Sequence, residues 1–376
     1  LLVWSRTFLK ESGLISCFAS FVSSQGWNLV IYAYNENAET LLGKFPMVKE
    51  KIKESWIRVN QRIDEFCKGN EDHSFRLLFI TDVHMGAENA HHIEQLQMLQ
   101  ELLPSSKIDF VVNGGDIGLD VGESNEEAKR VIESTQKAMN FGDIPYFFCK
   151  GNHDIKPGVL GREGLNPFLN RYFLDKISHE KGNIMVSETN EGGYGYYVDS
   201  KTNTRFLFLN TSENIRGYDV SDEQLAFVIN QLETCKEKFL VIFSHFCFNS
   251  CGAWVRYPNP LSPNMVRLQN IEKAFANREK GHTGPLDFDF SRSPSRLLLH
   301  LCGDSHFNNQ SRSDGYLIAC RQGYGGIDSE DIPEGASFDL FDKHEQCNFD
   351  LLAITPKHVK LFRVGTGEKI RDIEIF

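Results

Sequence analysis

The chain has 376 residues, 41% of them hydrophobic and 24% charged, with a formal net charge of −11. That length allows one large domain with a well-buried core plus a small appendage. The acidity argues against a nucleic-acid backbone or an anionic membrane as the main partner, since basic surface holds those, and no stretch approaches the roughly 20 consecutive apolar residues of a membrane span.

In chain order, residues 1–45 contain the apolar, β-prone run GWNLVIYAY followed by a polar turn around Asn35, Glu36 and Asn37, and read as a partial β-rich N-terminal segment. The start lacks an initiating Met and reads as a cut end, so a cytoplasmic location is expected while a secreted one stays open. The nine cysteines are scattered and odd in number; Cys149 and Cys302 close apolar runs, which suits buried free thiols and a reducing compartment. Residues 46–72 repeat Val48, Ile52, Trp56, Val59, Ile63 and Phe66 at three- and four-residue spacing, the pattern of an amphipathic linker helix.

Residues 73–376 form the expected main domain. Short apolar runs (RLLFITD, IDFVVNGGD, IPYFFCKGNHD) alternate there with helical patterns (IEQLQMLQELL, AKRVIESTQKAMNF), implying βαβ units with largely buried parallel strands. Later come the runs TRFLFLNTSE, FLVIFSH and RLLLHLCGDSH and a helix from about Asp222 to Lys236. The stretch from about Cys247 to Ser293, rich in Asn, Pro, Gly and aromatics, reads as a long excursion, and the end as antiparallel strands.

The carboxyl ends of these strands carry Asp82 and His84, then Asp116, then Asn152, His153 and Asp154, then His245, then Asp304 and His306. Strand carboxyl ends line the ligand crevice of open α/β sheets, so groups far apart in sequence converge there. Carboxylates, an amide oxygen and imidazoles together suit first-row divalent metals, and no Cys-x-x-Cys pair suggests a structural zinc knuckle.

DVH at 82–84, GD at 115–116, GNHD at 151–154, SH at 244–245 and GDSH at 303–306 resemble, in order, the blocks of the calcineurin-like metallophosphoesterases. The resemblance covers about residues 75–376 and implies an α/β fold (α+β by some schemes), a four-layer αββα sandwich of two mixed sheets flanked by helices. It assigns Asp82, His84 and His306 to one metal, Asn152 and His245 to the other, and Asp116 as the bridge. It also makes His153 the leaving-group acid and Asp154 the residue that orients it. The implied activity is hydrolysis of a phosphomonoester or phosphodiester by a metal-bridging hydroxide, using two divalent ions drawn from Mn²⁺, Fe²⁺, Zn²⁺ or Mg²⁺. A small-molecule phosphoester is the expected partner; a dimetal nuclease and a non-catalytic binding module are the alternatives.

Departures narrow the branch. Asp304 stands where the family places a second-metal histidine; as a ligand it adds a negative charge and shifts that site towards harder ions. Leu119 replaces the metal-binding Tyr of purple acid phosphatases, and the arginines of the protein Ser/Thr phosphatase motifs are missing from GDIGLDVG and KGNHD. Cys251 and Arg256 are one residue short of a Cys-x₅-Arg phosphate loop. Trp254, Arg256 and Tyr257 are candidate substrate contacts in the excursion, and Arg267 is a second candidate phosphate grip.

Overall fold

The computed structural model describes residues 3–5, 18–23, 26–30, 38–83, 90–116, 133, 137–151, 154, 185–186, 193–212, 219–246, 248, 262–304, 309–321, 348–365, 368 and 372–376. The chain divides into two compact units, Leu1–Lys53 and Glu54–Phe376, and the division falls within helix α1 (Ala38–Cys67). The first unit contains three antiparallel strands, β1 (Val3–Ser5), β2 (Phe18–Ser23) and β3 (Gly26–Val30), side by side in that order.

Two mixed sheets carry the second unit. One is built from β4 (Phe75–Ile80), β5 (Phe110–Asn113), β6 (Tyr146–Phe148), β16 (Asn348–Ile354), β17 (Val359–Gly365) and β18 (Ile373–Glu374), in the order β18-β17-β16-β4-β5-β6. Here β4, β5 and β6 are parallel neighbours, and the three late strands join antiparallel. The other contains β7 (Met185–Val186), β8 (Gly195–Asp199), β9 (Thr204–Phe208), β10 (Phe239–Phe243), β13 (Arg296–Cys302), β14 (Asn309–Ser313) and β15 (Tyr316–Cys320), in the order β14-β15-β13-β10-β9-β8-β7. Its central strands β9, β10, β13 and β15 are parallel. Between β10 and β13 lie the hairpin β11 (Lys280–Thr283) with β12 (Leu286–Asp289) and a helix described below.

Strand periodicity explains the layering. Alternate residues point to opposite faces of a strand, and the phenylalanines of both sheets meet across the middle. Phe75 lies 5.0 Å from Phe206, Phe110 lies 5.7 Å and Phe147 4.2 Å from Phe208, and Phe79 lies 6.0 Å from Phe243, all stacked. The intervening Leu207, Leu240 and Ile242 face the other way and pack with Leu225, Val228 and Leu232 of α3 (Asp222–Glu233) and with Leu268, Ile271 and Phe275 of α4 (Pro263–Ala276). On the six-stranded sheet, Trp56 and Phe66 of α1 reach Phe349 and Phe362 at 5.6 and 5.7 Å. Helix, sheet, sheet and helix form the expected αββα sandwich. A further helix, α2 (Ala90–Leu102), follows β4.

Composition misreads the excursion. Its described part holds α4 and the β11–β12 hairpin. Ser262 accepts the Met265 N–H and Pro263 stands in the first turn, a start signal present in SPNMVRLQNIEKAFAN but obscured by the Asn and Pro around it. Arg267, a candidate phosphate grip, is committed to structure instead: its guanidinium pairs with Asp222 and donates to Asn264 Oδ1 (2.8 Å) and the Thr283 carbonyl (2.9 Å). Among the described residues Cys67, Cys149, Cys235, Cys302 and Cys320 are buried free thiols. No helix among the described residues is long and apolar enough to cross a membrane.

Candidate metal centre

The parallel strands deliver their polar ends to one place. β4 runs into Thr81-Asp82, β5 into Gly114-Gly115-Asp116, β6 into Gly151 and Asp154, β10 into Ser244-His245, and β13 into Gly303-Asp304. Backbone bonds continue the ladders past the strand ends: Asp82 N–H donates to Gly115 O (2.9 Å), and Gly303 N–H to His245 O (3.1 Å). Asp82, Asp116 and Asp304 all have left-handed backbone, φ 53°, 54° and 69°. A non-glycine residue pays of order 1 kcal/mol for that conformation, and clusters of such strain mark functional sites.

The glycines make room for this convergence. Gly115 has φ 98°, and a Cβ there would sit 2.6 Å from His245 Nδ1. A Cβ on Gly303 would collide with the Thr81 hydroxyl and the Asp82 carboxylate.

Asp82, Asp116 and His245 are buried, and one ligand atom from each lies within 4.8 Å of the others. His245 Nδ1 is 2.7 Å from Gly114 O, an acceptor, so Nδ1 carries a proton and donates it there, and Nε2 is the nitrogen turned to the carboxylates. Nε2 lies 3.2 Å from Asp116 Oδ2 and 3.7 Å from Asp304 Oδ1. Asp82 is held by the Thr81 hydroxyl (2.7 Å) and by the Asp304 N–H, 3.1 Å from each of its oxygens. Asp154 Oδ2 accepts from Asp116 N–H (3.0 Å) and Gly151 N–H (2.7 Å), tying the β5 and β6 ends together.

The electrostatics fit a cation. Burial works to lower the pKa of His245, but Asp116, then Asp82 and Asp304, hold it well above the usual histidine value. Burial lifts the Asp304 carboxyl well above its usual range; Asp116 and Asp82 add to the rise against the opposing pull of His245. Carboxylates crowded around one imidazole, with its Nε2 turned towards them, are the donor set of a hard or borderline divalent ion that displaces the Nε2 proton.

Of the residues expected from sequence, Asp82, Asp116 and His245 come together, with Asp154 beside them. Asp304 does not complete the triple but puts its carboxylate against His245. His84, Asn152, His153, His306, Trp254, Arg256 and Tyr257 lie outside the described residues. Sequence reading missed Thr81, whose hydroxyl braces Asp82, and the Gly114 carbonyl, which fixes the His245 tautomer. Thr81 has a signal, a hydroxyl beside a strand-end Asp; a backbone carbonyl has none.

A family model described as calcineurin-like phosphoesterase matches residues 75–264. Among solved structures the chain is similar to a dimetal phosphatase from Danio rerio, at 14% identity over 80% of this chain and 98% of that one, with a TM-score of 0.53. It is also similar to GAP50, the anchor in the inner membrane complex of Plasmodium (12% identity, 80% of this chain and 88% of that one, TM-score 0.46). A third is Vacuolar Protein Sorting 29 from Cryptosporidium parvum (10%, 80% and 95%, TM-score 0.30). The first likeness is one of fold; the other two carry no argument. No curated protein matches the chain in sequence.

Proposed function

Because the chain belongs to the calcineurin-like phosphoesterase family, we propose that it is a metal-dependent hydrolase of a small-molecule phosphoester. One observation carries the reading: Asp82, Asp116 and His245 converge within 4.8 Å, with His245 Nε2 turned to the carboxylates by the Nδ1 bond to Gly114 O. These residues, with Asp304 alongside and with His84, Asn152 and His306 from the sequence resemblance, would hold two divalent ions. When bound, such ions polarise a phosphoryl oxygen and acidify water.

The chain's own groups do the rest. Asp116, by resemblance the bridging ligand, is fixed through its backbone N–H by Asp154. Asp82 is fixed from both sides by Thr81 and by the Asp304 backbone. His153 is the proposed acid, delivering a proton to the leaving oxygen from its imidazole. Asp304 in place of histidine makes the site more anionic, which favours Mn²⁺ or Mg²⁺ and weakens attraction for anionic substrates. Asp304→His is therefore expected to shift preference towards Zn²⁺.

Metal analysis coupled to hydrolysis of a generic aryl phosphoester tests the reading. Metal-stripped protein should be inactive and regain activity with Mn²⁺. Protein that binds no metal and stays inactive after Mn²⁺ addition would overturn it in favour of a non-catalytic module.

A further inference from the structure

Behind His245 a chain of buried polar groups runs out through the seven-stranded sheet. Glu272 on α4, His300 on β13 and Ser244 at the end of β10 each have 0% exposure. His300 Nδ1 lies 3.0 Å from Glu272 Oε1 and 3.2 Å from Oε2; bond geometry favours Oε2, where the Tyr316 hydroxyl also donates (3.2 Å). His300 Nε2 lies 2.8 Å from Ser244 Oγ, which is itself 2.7 Å from the Phe246 carbonyl oxygen. Phe248 closes the imidazole off edge-on at 5.1 Å.

Counting protons fixes the roles. A carbonyl only accepts, so the single Ser244 hydroxyl proton goes to Phe246 O. His300 Nε2 must then carry a proton and donate it to Ser244 Oγ. Nδ1 faces a carboxylate with no other hydrogen between them, so a second proton lies on that contact. His300 and Glu272 share that proton and form a neutral pair overall, which is how two buried ionisable groups avoid an uncompensated charge.

The far end of this chain is the turn that presents His245. Ser244 bonds across His245 to Phe246, while Ser244 N–H donates to Leu301 O (3.2 Å) and Phe246 N–H to Thr211 Oγ1 (2.9 Å). The Nε2–H donor holds the Ser244 oxygen as an acceptor, leaving its proton no choice but Phe246 O, and so locks the turn that aims His245.

We infer that Glu272, His300 and Ser244 are positioning residues, a buried carboxyl–imidazole–hydroxyl relay that sets the orientation of His245 from the opposite face of the sheet. The inference rests on the metal-centre reading for its consequence, though not for its protonation state.

Two measurements test it. In metal-free protein carrying ¹⁵N-histidine, the His300 signals, identified by their loss in His300→Phe, should show a protonated Nε2 that persists in Glu272→Gln. An unprotonated Nε2 in the unmutated protein would overturn the relay. In Co²⁺ titrations followed by visible absorption, Ser244→Ala and Glu272→Ala should weaken one of two cobalt sites by about 10- to 100-fold, the usual cost of removing an outer partner of a ligand. Glu272→Gln, whose amide can still bond Nδ1 of a neutral ring, should restore most of that affinity. His245→Ala separates the readings: two cobalt ions retained there would defeat the metal-centre reading alone. Loss of a cobalt in His245→Ala, with wild-type affinity in folded Ser244→Ala and Glu272→Ala, would defeat the relay alone.

Discussion

Two acidic residues, Asp350 buried and Asp304 partly exposed, stand between the same pair of sheets, and their carboxyls shift in opposite directions. Asp350 on β16 accepts from Arg321 (Nε 3.1 Å, Nη2 2.8 Å), just past β15, and from Arg363 on β17 (Nε and Nη2, both 3.0 Å). Burial acts most strongly there and works to raise the carboxyl, yet the two guanidiniums hold it below the usual carboxylate range. Asp304 past β13 is also desolvated, though partly exposed, and among the described residues its neighbours Asp116 and Asp82 add to the rise while His245 opposes it, so its carboxyl goes up. The Asp350 cluster is compensated by side chains of the protein and is built for stability. The Asp304 cluster concentrates like charge, which costs stability and creates affinity for cations.

The largest effect should come from breaking the compensated cluster. Asp350→Asn leaves two buried guanidiniums facing an amide and should cost about 3–5 kcal/mol, read as a lower urea midpoint at neutral pH. The sign with pH follows from the lowered folded pKa. The stability that ionised Asp350 contributes is fully present above its unfolded pKa of about 4 and is lost as pH falls through the depressed folded value. The gap between wild type and Asp350→Asn should therefore narrow in acid; a gap that widens there would refute the assignment.

The second cluster should show the reverse balance of activity and stability. Asp116→Asn should reduce aryl phosphoester hydrolysis by at least about 100-fold, more than the loss of a group that merely braces a ligand, with the thermal midpoint of chelator-treated protein unchanged or raised. A fall in that midpoint as large as that of Asp350→Asn would erase the contrast between the clusters. Asp304→Asn, which removes one like charge without taking away the His245 tautomer, should stabilise the metal-free protein by about 1 kcal/mol, the worth of one pKa unit. Denaturant titration with and without Mn²⁺ checks this, and the gain should disappear when Mn²⁺ is present.

The smallest effect calibrates the surface. Glu368 pairs with Arg58 (2.8 Å) and Arg62 (3.2 Å) of α1, and burial, working upward, is outweighed by these arginines so that its carboxyl sits below the usual value. Because Arg58 is half exposed, at 48%, Glu368→Gln should cost only about 0.5–1 kcal/mol and less at high salt. Equal losses at low and high salt would contradict that screening.

The chain's own text carried the strand ends and most of the ligand chemistry. An apolar run broken by Asp or His next to Gly is expensive unless partnered, so Asp82, Asp116, His245 and Asp304 announced themselves, and order along βαβ units was enough to predict their convergence. Single polar residues inside buried strands, His300 in RLLLHLC and Asp350 in NFDLLAI, give the same kind of signal. Their partners cannot be read from it, because Glu272 precedes His300 by a whole hairpin and Arg321 follows a strand of a different sheet from Asp350. Helix α4 shows the opposite failure: its cap and apolar period were written in the sequence, but local composition outweighed them.

The sequence by itself determined the alternation of buried strands with helices and the acidic, imidazole-bearing strand ends, because hydrophobic period and residue type are local properties, and the resemblance of its ordered motifs to the calcineurin-like family implied the αββα sandwich. Only the tertiary structure decided which nitrogen of His245 faces the carboxylates, which carboxylate is compensated and which is crowded, and what stands behind the site. Those depend on carbonyls, hydroxyls and charges brought within about 3 Å by chain segments far apart in sequence, the range at which hydrogen bonding and desolvation choose a proton's position.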